Sequence, residues 1–409
     1  MMANLSPRHK HSDLFVHNGS EYQRRVGPGR AHTHCFISWS PVYAGSSAAH
    51  HEYARALARA GHVVTVVGRG EEPPHHAEKN LYIYPIRANA RYETAAHGEF
   101  LVAAARHLRM QQYDFVDAML SPGIGVLPLA ARRYNKAVWV LHIRTSAIQH
   151  SLGGWFRNAL ARVELNLFDA ATIIDRNIAP LLFISGKKSE SLLELPLGVN
   201  PERMKACDDQ RNVLFGENIE GKKILIYVGK TDPTRRLDRM IEAFAIIKQK
   251  YADVMLAIVG GGGDAGVLKA TARKFNVLDS VILCGYVDYS QVSRYISSAD
   301  IALTYIPISP TYQWQPALKA LEYLQIGLPQ VATATSANAK YIEHEVNGLL
   351  ASDEPDQFAD QVMRLLEDQS LYDAIKHGCS RGIEKHYWGN IAEQKLIPFY
   401  DRLFPVTTK

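Results

Sequence analysis

Three groups of side chains in this 409-residue sequence have the types and spacing to act on a phosphorylated ligand. The first is Pro316-Ala-Leu-Lys319-Ala-Leu-Glu322. Lys319 and Glu322 are three apart, so on a helix they share a face near its start. A helix start offers unpaired N–H groups and favours an anion. A carboxylate there can accept two adjacent sugar hydroxyls, and a lysine can meet a phosphate. The second group is Lys230 and Arg235, which bracket Thr-Asp-Pro-Thr just after Gly229. Two cations on a loop leading into a helix can neutralise a diphosphate, each charge-assisted contact being worth roughly 1.5–3 kcal/mol. The third is His142, which follows the apolar run Ala137-Val-Trp-Val-Leu141. The plain alternatives are a surface Lys/Glu pair, a solvated basic loop and a core histidine.

These groups need elements that hold them. Pro307, Pro310 and Pro316 rule out a regular helix up to residue 316, and Pro316 suits a first helical position, where a missing N–H costs nothing. The pattern predicts a helix through Leu318, Leu321, Tyr323 and Leu324, ending at Gly327-Leu-Pro329, then a short strand at Val331. Upstream, strand signals at His34–Trp39 and His62–Val67 flank a helical stretch over 48–60, a βαβ unit. The loop after the first strand contains Gly45, where backbone can approach a ligand closely. Further buried strands are expected at 82–86, 115–119, 137–141, 170–174, 223–228, 256–259, 281–287 and 300–304. If the sheets are open and parallel, His142 and the loops after these strands lie at the carboxyl edge, where such folds bind ligands. Gly260-Gly-Gly-Gly263 lacks the spacing and the acidic partner of a nicotinamide site, which argues against a dehydrogenase.

A chain this long exceeds one ordinary core, so two domains are expected. Hydrophobic content of 47% and charged content of 21% fit a soluble globular protein. The net charge of +5 suits phosphate-bearing substrates or an anionic membrane surface. No basic run with interleaved aromatics or nucleic-acid motif is present, so nucleic acid is not an expected partner. Cys35, Cys207, Cys284 and Cys379 are scattered without zinc spacing, and a reduced, cytoplasmic setting follows. No apolar run is long enough to span a membrane. Residues 1–30 are polar and aperiodic and read as a mobile extension. Phe100–Arg109 is basic and amphipathic, a pattern that suits either a membrane surface or packing on a sheet, packing being favoured.

In order and spacing, Tyr227–Phe244, Leu256–Gly263, Val281–Val287, Tyr295–Thr304 and Tyr305–Thr335 resemble the donor-binding half of glycosyltransferase family 4, a large retaining group with the GT-B fold. The resemblance spans roughly residues 32–405. It implies two Rossmann-like parallel-sheet domains around a cleft. The first covers 31–205 on the acceptor side, a linker 206–221, the nucleotide-sugar domain 222–385, and 386–409 a helix crossing back. It implies a nucleoside-diphosphate sugar as donor, no metal or other cofactor, and a glycan or lipid-linked saccharide as acceptor. The product would belong to a surface polysaccharide or glycolipid, made at the cytoplasmic face with possible peripheral membrane contact. The donor contacts carried over are Gly45, Gly229, Lys230, Arg235, Gly261, Gly285, Tyr286, Val287, Pro316, Leu318, Lys319 and Glu322. His142, Lys230 and Arg235 take the catalytic roles.

The sequence also departs from that pattern. Lys230 and Arg235 reverse the usual Arg-then-Lys order, Arg236 replaces a preferred glycine, and Arg144 replaces a common acidic residue. Leu197 and Asn200 replace a polar and an acidic residue. Trp314, between Gln313 and Gln315, stands where the family has the first Glu of its acidic motif. Three explanations are open: backbone or Gln substitutes for it, the transferred sugar is unusual and acidic, or the chain is a non-catalytic partner of another transferase. A sugar-nucleotide epimerase or a phosphorylase is a further alternative.

Overall fold

The computed structural model describes residues 31–42, 49–145, 152–186, 190–216, 219–263 and 265–403. The proposed extension 1–30 and the Gly45 loop lie outside the described residues.

The apolar runs of the first half assemble into an eight-stranded sheet, ordered β3-β4-β2-β1-β5-β6-β7-β8. Its strands are β1 (Thr33–Pro41), β2 (Val63–Arg69), β3 (His75–Glu78), β4 (Leu81–Ile86), β5 (Phe115–Met119), β6 (Val138–Ile143), β7 (Ala170–Ile173) and β8 (Leu193–Glu194). All pairs are parallel except β3 with β4. The chain runs outward from β1 to β2 and β4, then returns to place β5 on the other side of β1, so the direction of winding reverses between β1 and β5. Helices α1 (Ala49–Arg59), α2 (Glu93–Met110), α3 (Val126–Ala131) and α4 (Leu152–Leu165) flank this sheet. Phe100, Ala104 and Leu108 of α2 are buried in the core, so its apolar face packs on protein.

The second half builds a parallel six-stranded sheet, ordered β11-β10-β9-β12-β13-β14. It comprises β9 (Lys223–Val228), β10 (Val254–Val259), β11 (Val281–Gly285), β12 (Ile301–Thr304), β13 (Gln330–Thr333) and β14 (Leu349–Ala351). Every residue of β10, β12 and β13 is buried, as expected of strands covered on both faces. Winding reverses here between β9 and β12.

The C-terminal segment continues as a helical run with a π-helical stretch at Ala392–Leu396, flanked by Trp388–Ile391 and Ile397–Leu403. Trp388, Leu396, Phe399 and Tyr400 join the core of the first sheet beside Phe36 and Tyr53. The reading from sequence omitted β3, whose His-His-Ala-Glu has no apolar alternation, and α3, which is one short turn pair. All four cysteines are free thiols; Cys35 is buried, while Cys284 is only half-buried.

Candidate functional site

The loops after β9, β10 and β11 are drawn together at the carboxyl edge of the second sheet. The Gly260 N–H donates to Gly285 O at 2.8 Å, and the Thr231 N–H donates to Gly261 O at 3.0 Å. Gly260 has φ +143°, and a Cβ there would lie 1.8 Å from Gly229 O. Glycine is therefore a steric requirement where two backbones cross. Gly261 faces Tyr286, whose Cβ lies 3.5 Å from where a Gly261 Cβ would sit. Gly285 (φ +71°) turns the chain out of β11, leaving Tyr286 71% exposed and Val287 half-buried beside it.

Beneath these loops starts the helix Leu318–Ile326. Its N-cap is Ala317, extended and with no side-chain cap; the Ala320 N–H turns back to the Ala317 carbonyl at 3.1 Å, and no side chain caps the N-terminus. Pro316 precedes the cap instead of occupying the first helical position. That corrects the expectation from sequence: Leu318 is the first helical residue, and Ala317 supplies the half-in residue.

Lys319 and Glu322 are not the surface pair that spacing alone permits. The Lys319 ammonium sits 3.4 Å from the centre of the Tyr227 ring, close under Gly229. Burial, then repulsion from Arg235, holds its pKa well below that of an ordinary lysine, with Glu322 opposing the shift. Glu322 is 4% exposed and accepts from the Tyr289 hydroxyl at 2.9 Å. Burial pushes its pKa up to about 7, against the Tyr289 hydrogen bond and Lys319. Arg235 lies 4.9 Å over the Tyr312 ring, and Thr234 Oγ1 meets the Tyr312 hydroxyl at 2.8 Å. The Arg235 Nε is buried without a hydrogen-bond partner. Lys230 is exposed on the same loop, and its carbonyl accepts from the Tyr227 hydroxyl at 2.9 Å. Arg235 and Lys319 thus lie close enough to repel each other beside the helix start, with Lys230 exposed on the same loop and the Glu322 carboxylate buried behind. Such a region is built for an anion.

His142 lies at the carboxyl end of β6, as expected, and its ring is turned into the sheet's polar network. It is 2% exposed, its Nε2 lies 2.9 Å from Asp117 Oδ1, and its Nδ1 lies 2.9 Å from Thr172 Oγ1. Both ring nitrogens are engaged by side chains of the neighbouring strands. Asp117 also accepts from the Tyr400 hydroxyl at 2.6 Å and pairs with His34 at 3.1 Å. Burial alone would raise the Asp117 pKa, but the His142 and His34 hydrogen bonds outweigh it and hold the carboxyl at about 2.

The two sheet edges meet across a cleft. Thr145, just after β6, hydrogen-bonds Gln315, and Trp314 packs against the core of the first sheet. Lys340 bridges to Asp175 at 2.6 Å and Glu194 at 3.1 Å.

Comparison with known proteins fits this geometry. The description "Glycosyl transferases group 1" matches residues 209–378, and "Glycosyltransferase Family 4" matches residues 43–203. The chain belongs to the group 1, family 4 glycosyltransferases. It is 25% identical over 224 residues to the amylovoran biosynthesis glycosyltransferase AmsK of Erwinia amylovora, covering 54% of this chain and 53% of that one. It is 24% identical over 213 residues to spore coat protein SA of Bacillus subtilis, covering 49% and 54% respectively. The chain thus spans about half the length of these curated relatives. The Anabaena Alr3699/HepE structure with UDP-glucose shares the fold at a TM-score of 0.71 and 14% identity, covering 91% of this chain and 99% of that one.

Within this glycosyltransferase family the departures now have physical content. Arg236 adopts φ +49°, a left-handed conformation, which explains why glycine is the common choice there. Trp314 fills space between the sheets, and neighbouring Gln313 donates to Ser336 at 2.6 Å. Sequence reasoning missed Tyr227, Tyr289 and Tyr312, which position Lys319, Glu322 and Arg235. Their only signal was aromatic character near the strand ends.

Proposed function

We propose that the chain transfers a sugar from a nucleoside-diphosphate donor to a saccharide or glycolipid acceptor, with retention at the anomeric carbon. The observation that carries this is the pairing of Arg235 and Lys319 beside the start of Leu318–Ile326, with Glu322 one turn further on and Lys230 on the loop that Arg235 ends. The bond from the anomeric carbon to the diphosphate oxygen breaks with its electrons leaving on the diphosphate. The acceptor oxygen forms the new bond, and its proton passes to the departing diphosphate oxygen. The three cations and the helix N–H groups stabilise the charge that develops on the leaving group. Because the protein supplies that charge itself, we propose that transfer runs without a metal. Glu322 takes the ribose hydroxyls, and the backbone at Gly285, Tyr286 and Val287 reads the base. The UDP-glucose bound by HepE supports a uridine nucleotide, and the name of AmsK supports a role in surface polysaccharide synthesis.

A thermal-shift screen with UDP, GDP, ADP, CMP and dTDP, with and without magnesium, tests the donor. A ligand at about 100 times its dissociation constant adds roughly 2.7 kcal/mol. One nucleotide is expected to raise the melting temperature equally with and without magnesium. No shift with any of them would overturn the donor site.

We also propose peripheral contact with an anionic lipid surface, made by α4. No described helix is long and apolar enough to cross a membrane. On α4, Trp155 is 46% and Phe156 63% exposed, and Leu152, Val163, Arg157 and Arg162 are exposed beside them. Apolar anchors with flanking arginines suit such a surface. Replacing Trp155 and Phe156 together by Asp should lower binding to phosphatidylglycerol vesicles at least tenfold, since a buried aromatic contributes roughly 1.5–3 kcal/mol. Unchanged vesicle binding would remove the membrane contact and leave the donor site intact.

A further inference from the structure

At the carboxyl edge of the first sheet lies a cavity of about 450 Å³. It sits at the β1/β5 reversal of winding, where open sheets bind ligands. Its wall comes from the end of β1 (Ser38, Trp39), the end of β2 (Arg69), α1 (His50), the loop after β5 (Ser121) and Arg144 after β6.

Two guanidinium groups line it without a carboxylate partner. Arg69 stacks 4.2 Å over the Trp39 ring, and its Nε is buried and unpartnered. Arg144 donates to the Leu195 carbonyl at 2.6 Å and the Pro196 carbonyl at 3.3 Å, and its Nε is also buried and unpartnered. Neutral carbonyls orient Arg144 but do not balance its charge. Glu93, the one carboxylate on the wall among the described residues, is exposed and forms no ion pair with either arginine. His50 is 3% exposed with an unpartnered Nε2, and burial first, then its neighbours His51, His142 and Arg144, keep it neutral. Unpaired, partly desolvated charge on a cavity wall is unfavourable until an anion meets it, and paired guanidinium donors suit the planar oxygens of carboxylate and phosphate.

We infer that this cavity takes an acceptor sugar bearing an anionic group, a phosphate or a carboxylate, held between Arg69 and Arg144. The inference rests on the reading of the chain as a glycosyltransferase and names the acceptor class at that same cleft. Ser38, Ser121 and His50 are left to hold the sugar hydroxyls.

Calorimetric titration of the full chain with glucose 6-phosphate, glucuronate and glucose tests it. At least one anionic sugar should bind ten times more tightly than glucose or better, and whichever of the two binds more tightly identifies the group as phosphate or carboxylate. Arg69→Gln and Arg144→Gln should each weaken that binding at least tenfold. Arg69→Gln serves as the second variant should the loss of the Arg144 carbonyl contacts unfold the chain. Lys230→Ala should leave anionic-sugar binding within twofold. Equal affinity for glucose, no binding of either anionic sugar, or loss in Lys230→Ala but not Arg69→Gln would overturn the inference. Nucleoside diphosphates titrated into the same samples separate the two readings. Nucleotide binding without discrimination between sugars removes only the anionic acceptor. Anionic-sugar binding without nucleotide binding removes only the donor site.

Discussion

Glu322→Gln is expected to weaken nucleoside-diphosphate binding roughly ten- to a hundredfold while making the unliganded protein more stable at neutral pH. The two effects share one cause. The Glu322 carboxyl is buried and titrates at about 7 instead of 4.5. A carboxylate whose folded pKa is raised costs nothing below its unfolded pKa. The penalty grows as pH rises from about 4.5 and is fully present above about 7. A shift of this size corresponds to about 3 kcal/mol. Gln keeps the acceptor for the Tyr289 hydroxyl but carries no charge, so the variant should melt at the wild-type temperature near pH 4.5 and clearly above it at pH 8. Ligand binding runs the other way. Hydrogen bonds to a charged acceptor are worth about 1.5–3 kcal/mol, against about 0.5–1.5 for a neutral one, and a ribose offers two. The affinity gap between wild type and variant should therefore widen from pH 5.5 to 7.5, as Glu322 ionises. Melting curves and titrations across that range check both halves. A Gln variant that binds normally at pH 7.5 would mean that the ribose lies elsewhere.

The second large effect is expected at the phosphate loop. Lys230→Ala and Arg235→Ala should each weaken nucleoside-diphosphate binding by about ten- to a hundredfold, from roughly 1.5–3 kcal/mol per charge-assisted contact. Arg235 should matter more. Its guanidinium is already held over Tyr312, whereas Lys230 is exposed and must be ordered by the ligand. Arg235→Lys should restore only part of the loss, because an ammonium neither stacks nor binds in a bidentate way as guanidinium does. Titration of the diphosphate beside the parent nucleoside reads the phosphate contribution directly. Unchanged affinity in both alanine variants would remove the proposed phosphate site.

How far the sequence reaches can be seen from these residues. Both parallel sheets were visible because strands covered on two faces must be continuously apolar, as in Val254–Val259. Gly260 was visible as part of a glycine run, and the crossing of two backbones there admits no other residue, whereas a Cβ at Gly261 would meet only ordinary contacts. Lys319 and Glu322 were visible by spacing, yet spacing could not say that they are held under Tyr227 and Tyr289. The same holds for His142. A strand end determines which residue lies near the cleft, but the partners Asp117 and Thr172, on neighbouring strands, determine which way its ring is used. Arg69 and Arg144 carried no motif, and their unpaired state is a property of the tertiary surroundings alone.

The Asp117 hub has a consequence for how the chain is made. The carboxylate joins β5 to β1 through His34 and to β6 through His142, and its remaining partner, Tyr400, lies 283 residues further along the chain. The first sheet is translated early, yet a charged group at its centre lacks one donor until residue 400 emerges. At about 5–20 residues per second that interval is roughly 15–60 s. During it, the apolar surface that Trp388, Phe399 and Tyr400 will cover stays open. The late helix therefore acts as the latch that ends the exposure of the first half's apolar surface.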